Sequence, residues 1–204
     1  MRSIPVLLLV ASCATAVERL PVPETQVGDR WTYQKLNAHN GNAAGTVNYE
    51  VLGLDGEAVR FQISDNKNVT TQTWPRQWNQ FELVDGRRFV YDAGEVSGKT
   101  TAFNPATNEK VSIKIQTSFL GREKIRVPAG EFDTLKILRN IYIDDREWWK
   151  SQTRVRQISW HSPSAAQFVK QESQPSYFDL RRSRHDTLIE GDWNRWVLTD
   201  YAPA

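Results

Sequence analysis

Apolar and polar residues alternate along most of this chain with a period of two. The cleanest stretch is 124–137, where Lys124-Ile125-Arg126-Val127 and Glu131-Phe132-Asp133-Thr134-Leu135-Lys136-Ile137 flank Pro128-Ala129-Gly130. Such alternation marks half-buried strands, and a short Gly-containing connector between two of them marks a hairpin. Pro128 arrives with its φ already fixed for a turn, and Gly130 can take a positive φ without Cβ strain. Val47, Tyr49 and Val51 form one further run, and Val59, Phe61 and Ile63 another, with Asp55-Gly56 between them. Asp85-Gly86 separates 81–84 from 87–91 in the same way; Asp-Gly between alternating runs is a strong hairpin signal.

Trp31 and Tyr33 share a face of a first strand at 29–35, and Val111, Ile113 and Ile115 share a face of a later one. Further strands are predicted at 153–160, 167–171 and 195–199. Residues 37–45, rich in Asn, Gly and Ala, read as a loop, as do 92–108 with at most a short strand. Past the central hairpin, Leu135, Ile137, Arg139, Ile141 and Ile143 fall on one face, and Arg139 breaks the apolar row. A β-bulge near Leu138 that turns Arg139 outward is the expectation; an inward Arg139 would need a buried carboxylate or carbonyl partners. Outside the N-terminus no segment carries an apolar stripe at helical spacing over three turns. The pattern predicts an all-β protein, an antiparallel meander of roughly eight to eleven strands forming a barrel or strongly curved sheet.

The N-terminus breaks this pattern. Met1-Arg2-Ser3 is a short basic start, followed by an apolar run from 4 to 11 and then small residues, which reads as a secretory signal too short to span a bilayer. Val10-Ala11-Ser12-Cys13 resembles the bacterial lipobox, in which the Cys becomes the lipidated first residue, whereas Ala14-Thr15-Ala16 fits a conventional cleavage site. The lipoprotein reading divides the chain into a signal peptide at 1–12, an extended tether at 13–27 stiffened by Pro21 and Pro23, and one β domain at 28–204. Several acyl chains on Cys13 suffice for stable attachment to a membrane. Ala14 beside it resembles proteins sorted to the outer membrane, facing the periplasm; cleavage after Ala16 would release a soluble periplasmic or secreted chain.

Three stretches carry a family resemblance: Val27-Gly28-Asp29-Arg30-Trp31-Thr32-Tyr33, Val127-Pro128-Ala129-Gly130-Glu131-Phe132-Asp133-Thr134-Leu135-Lys136-Ile137, and Trp160-His161-Ser162-Pro163 running on to Phe168-Val169-Lys170. Together they resemble a family of uncharacterised bacterial exported β-proteins, periplasmic or lipid-anchored, with His161 standing where an aromatic is usual. The resemblance implies an envelope β domain with no reaction attached.

Composition narrows the chemistry. The chain has 204 residues and a formal charge of +2. Arg2 is the only charged residue in 1–12, so its loss leaves +1, too balanced to argue for a nucleic-acid partner. Cys13 is the sole cysteine, so the domain has no disulfide or thiol chemistry. His39, His161 and His185 sit in or beside predicted loops without a second ligand at metal spacing, and nucleophile-elbow and phosphate-loop motifs are missing. Asp144, Asp145 and Glu147 read as a solvated turn without a calcium-loop pattern. No cofactor, no metal and no enzymatic activity are expected. A transmembrane barrel is disfavoured by short strands and a mean hydropathy of −0.57.

The oddity is eight tryptophans. Trp31, Trp160 and Trp196 fit core positions. Trp74, Trp78, Trp148, Trp149 and Trp193 lie near turns or strand ends, beside Pro75, Arg76, Arg146 and Lys150. They read either as barrel-mouth packing or as an aromatic rim for a lipid, glycan or envelope-protein partner. Arg181, Arg182 and Arg184 form a basic run, read as a solvated face or a contact with anionic head groups. The expected function is a lipid-anchored, non-catalytic binding or assembly module for an apolar ligand or envelope partner, with a structural lipoprotein of filled interior and an envelope hydrolase as alternatives. Radiolabelled palmitate is expected to enter the wild-type chain and not a Cys13→Ala variant; equal labelling of both would refute the anchor.

Overall fold

The computed structural model describes residues 24–66, 68–94, 97–181 and 186–204; Cys13, Arg182, Arg184 and His185 lie outside them. The chain runs through β1 (Arg30–Asn37), β2 (Ala43–Asp55), β3 (Ala58–Asp65), β4 (Val69–Pro75), β5 (Trp78–Glu82) and β6 (Arg88–Asp92). It continues with β7 (Ser97–Phe103), β8 (Lys110–Val127), β9 (Gly130–Ile143) and β10 (Arg154–Ser162). A one-turn 3-10 helix (Pro163–Ala165) precedes β11 (Gln167–Asp179), β12 (Thr187–Glu190) and β13 (Asn194–Ala202). All neighbours are antiparallel in one curled half-barrel sheet of order β4-β3-β2-β1-β13-β11-β10-β9-β8-β7-β6-β5, with β12 on the far end of β11. The Asp-Gly hairpins form as β2–β3 and β5–β6. The stretch read as loop at 92–108 holds β7, whose Thr-rich sequence offers little alternation.

β11 changes partner along its length: Lys170 to Ser173 pair with β13, and Ser176 to Asp179 pair with β12. Pro175 sits at the switch, where its missing N–H leaves no ladder bond to lose. Its carbonyl accepts from Gly191 N–H at 2.9 Å. A Cβ on residue 191 would come within 2.7 Å of Pro175 Cγ and 3.0 Å of Val84 Cα, so only glycine fits this close approach.

The β5–β6 hairpin does not stay in the sheet's surface. It folds into the concave side, and all five residues of β5 are buried. On one side Trp78 joins Trp31, Tyr33, Tyr49, Phe61, Trp74 and Phe168 in an aromatic core. On the other, Phe81, Phe89 and Tyr91 pack on Ile113, Ile115, Ile141, Ile143 and Val155. A polar seam supports the hairpin between these cores. The Gln80 carbonyl accepts from Gln157 Nε2 at 2.6 Å and Gln171 Nε2 at 2.8 Å, and Tyr91 Oη donates to Gln157 Oε1 at 2.7 Å. Glu82 accepts from Lys35 Nζ at 2.6 Å and from Asn194 Nδ2 at 2.9 Å. Trp31 and Tyr33 direct their polar ends to the carbonyls of Ala165 and Phe168, so these two rings are buried with their donors satisfied.

The Pro-Ala-Gly hairpin joins β8 to β9 with Val127 opposite Gly130, whose φ is +139°. Beyond a bulge between Phe119 and Gly121, its tip reaches β13, where Ala129 N–H donates to Leu198 O at 3.2 Å. Val127 joins the aromatic core, with Ile125 and Phe132 against it.

No bulge occurs at Leu138, and the expectation for Arg139 is corrected. It points inward and is 1% exposed, in register with Ile137 and Ile141. Its Nη1 donates to Ser159 Oγ at 3.1 Å and its Nη2 to Ala93 O at 3.4 Å; among the described residues no carboxylate pairs with it. Burial pushes the adjacent Tyr91 hydroxyl up to about 12, with Arg139 pulling against it.

Replacing Gln157 by Leu should orphan Tyr91 Oη and remove one donor from the Gln80 carbonyl. A loss of about 1–3 kcal/mol is expected. It would appear as a lower urea midpoint with unchanged slope; an unchanged midpoint would show that the seam does not hold the hairpin.

Candidate functional site

With the concave side filled, the described surface offers a groove on the convex side. In β9 and β10 the alternation turns Ile141, Ile143 and Val155 inward and Tyr142 and Arg154 outward. Tyr142 pairs with Arg154, Arg154 with Ser176, and Phe178 with Leu188, so these side chains line one face of four strands. The loop from Asp144 to Thr153 forms one wall. Asp145 holds it by accepting from Thr153 N–H at 2.9 Å, Thr153 Oγ1 at 2.6 Å and Lys150 Nζ at 2.7 Å. Ser151 N–H then donates to Phe178 O at 2.9 Å, and Leu180 N–H to Trp149 O at 2.8 Å, docking the loop along β11.

The groove has a volume of about 590 Å³ and is lined by Tyr142, Arg146, Arg154, Phe178, Leu180 and Leu188, among others. Phe178 is 46% exposed and Leu188 47%, an apolar exposure that marks interaction surface when contiguous. Arg154 lies 5.7 Å from the Tyr142 ring centroid and donates to Asn140 Oδ1 at 2.9 Å. Neither Arg154 nor Arg146 pairs with a carboxylate among the described residues, and no Asp or Glu lines the groove. Nearby cations are matched: Lys150 by Asp145 and Arg181 by Asp179.

The predicted aromatic rim divides. Trp148 is 83% exposed next to the groove wall. Trp149 is half-buried, edge-on to Tyr177 at 6.0 Å, with Arg181 5.2 Å from its ring and its Nε1 donating to Glu147 at 2.6 Å. Trp74 and Trp78 are corrected: each is 1% exposed, their ring centroids are 5.0 Å apart, and they belong to the core. They looked like turn residues because the inward fold of the β5–β6 hairpin has no local signature. The groove's own Phe178, Leu180 and Leu188 were missed because Ser176-Tyr177-Phe178-Asp179 shows no alternation and β12 is only four residues long.

His161 is likewise corrected. It lies on β10 rather than in a solvated loop, half-buried, with Nε2 shielded from solvent and unpaired. Burial, reinforced by the charge of Arg139, holds its pKa well below the ordinary histidine value. His39 rests edge-on against Trp193 at 5.3 Å. Among the described residues no group of three or more His, Cys, Asp or Glu could hold a metal ion, and no helix is long and apolar enough to cross a membrane.

Fold and site together describe a curled antiparallel half-barrel with a closed interior and an external groove. No protein-family model matches the chain, and no curated protein matches it by sequence. Solved structures do share the fold. One is a candidate lipoprotein from Parabacteroides distasonis, 15% identical, with a TM-score of 0.52 over 88% of this chain and 97% of that one. Another is a candidate exported protein of YmcC-like fold from Bacteroides fragilis, 12% identical, with a TM-score of 0.50 over 90% of this chain and 99% of that one.

The unfolded chain protonates His161 near pH 6.5, whereas the folded chain keeps it neutral to lower pH. Stability should therefore be lost as pH falls below that value. Relative to a His161→Phe variant, the wild type is expected to lose up to about 1.4 kcal/mol per pH unit between 6.5 and 5. Parallel denaturation midpoints for the two proteins across that range would refute this.

Proposed function

We propose that this protein is an envelope lipoprotein, anchored through Cys13 to the outer membrane and facing the periplasm, which acts as a non-catalytic binding module with the convex groove as its site. The carrying observation is the joint exposure of Phe178, Leu180 and Leu188 in one groove of a protein whose interior is closed by Trp31, Trp74 and Trp78. A barrel mouth is therefore not the binding place, and the reading moves to the outside of the sheet. The groove's volume lies within the few hundred to about 1,000 Å³ typical of small-molecule sites. The lipobox ending at Cys13 supports the anchor, and the two similar folds, a candidate lipoprotein and a candidate exported protein, agree with an envelope setting.

Strand directions separate anchor and groove. Arg30 at the start of β1 pairs with Ala202, while Asn37 at its other end pairs with Asn194, which also pairs with Ser173. β11 continues past Ser173 to Phe178, so the groove lies at the end opposite the tether and would face away from the anchoring membrane.

Native mass spectrometry of the protein purified from its own envelope tests this reading. A co-purifying small molecule or partner is expected with the wild type and should be lost with Phe178→Ser/Leu188→Ser. Exposed substitutions of this kind change stability by only about 0.5 kcal/mol, so folding is kept. Retention of the same companion by the double variant, or turnover of an envelope substrate, would overturn it.

A further inference from the structure

We propose that the groove takes a phosphate-bearing amphiphile, its phosphate held by Arg146 and Arg154 and its acyl chain laid over Phe178, Leu180 and Leu188. This rests on the groove being the binding site. The first support is charge: two guanidinium groups face a groove with no acidic lining residue, while Lys150, Arg181 and Arg195 each have a carboxylate. Arg154 is also ordered before any ligand arrives, by the Tyr142 ring and by Asn140 Oδ1. An Arg ordered in this way loses less entropy on binding an anion.

Head-group valence favours phosphate over carboxylate. Each guanidinium presents a fork of parallel N–H donors; a carboxylate's two oxygens satisfy one fork, whereas a phosphate monoester has three terminal oxygens and can engage both. Apolar and cationic parts are joined in one groove, since Phe178 and Leu188 sit on the same sheet face as Arg154. The peptide of the protein's own tether is too short to reach the groove. Residues 14–23, fully extended, span about 36 Å at most. The path along β1 and on to Phe178 covers about 13 residues, or roughly 43 Å of strand. An outside ligand is the occupant.

Isothermal titration of the mature chain carrying Cys13→Ser, which needs no detergent to stay in solution, would use monomeric dodecyl phosphate, dodecanoate and dodecyl maltoside as probes. Dodecyl phosphate is expected to bind at least about ten-fold tighter than either of the others, a preference charge-assisted bidentate bonds can supply. Arg146→Gln/Arg154→Gln should erase that preference and leave dodecyl maltoside binding unchanged. Arg154→Lys should reduce the preference, because it keeps the charge but loses the fork. Leu188→Ser should weaken all three probes. Equal binding of the three probes by the wild type would overturn the phosphate assignment while leaving the groove as a site. Equal affinity for dodecanoate and dodecyl phosphate would overturn the two-fork argument. Binding of anionic vesicles without binding of any monomeric probe would replace a lipid ligand with a membrane surface and overturn both readings.

Discussion

The structure depends on burying a hairpin inside its own sheet. β5 has no surface-facing side, so its Asn79 and Gln80 side chains leave water and that of Glu82 keeps only a small exposure. A buried, unpaired polar group costs about 1–3 kcal/mol, and although Asn79 Nδ2 and the Gln80 side-chain amide stay unpaired, the sheet supplies partners for the Gln80 carbonyl and the Glu82 carboxylate. Gln157 and Gln171 on neighbouring strands meet the Gln80 carbonyl, and Lys35 and Asn194 meet Glu82. These polar residues occupy inward positions of β10, β11, β1 and β13 that an ordinary curled sheet would fill with Val or Leu. The apolar cores on either side supply the driving force, while the seam fixes where the hairpin lies.

That constraint decides where function can reside. The hairpin and the rings of Trp31, Tyr33, Tyr49, Phe61, Trp74 and Phe168 fill the concave side, while Ala129 at the Pro-Ala-Gly tip reaches across to β13. Among the described residues, Arg139 is a cation placed deep in this interior with no carboxylate partner, satisfied in part by Ser159 and the Ala93 carbonyl. Burial, with the Arg139 charge adding to it, depresses the basicity of His161 and keeps that side chain neutral. With the interior closed, the apolar residues exposed on the convex side are where the proposed binding role rests.

The groove is assembled from strand ends and a loop that are distant in sequence: Tyr142, Arg146, Arg154, Phe178 and Leu188. Only cross-strand register makes them neighbours. Trp148 stands beside them in solvent, whereas Trp74 and Trp78, which have the same local look in sequence, are carried into the core by the hairpin.

Alternation by itself determined the all-β class, the two Asp-Gly hairpins, the Pro-Ala-Gly hairpin and the core positions Trp31, Trp160 and Trp196, because a period of two is a local property of half-buried strands. The N-terminal residues likewise carried the lipobox reading without help from any fold. Tertiary structure decided the inward Arg139, the buried Trp74 and Trp78, the shielded His161 and the groove. Each depends on which strand lies opposite which, and on a hairpin leaving the sheet to fill its concave side. Solvent exposure and pairing between distant strands are non-local quantities, and no pattern within a few residues encodes them.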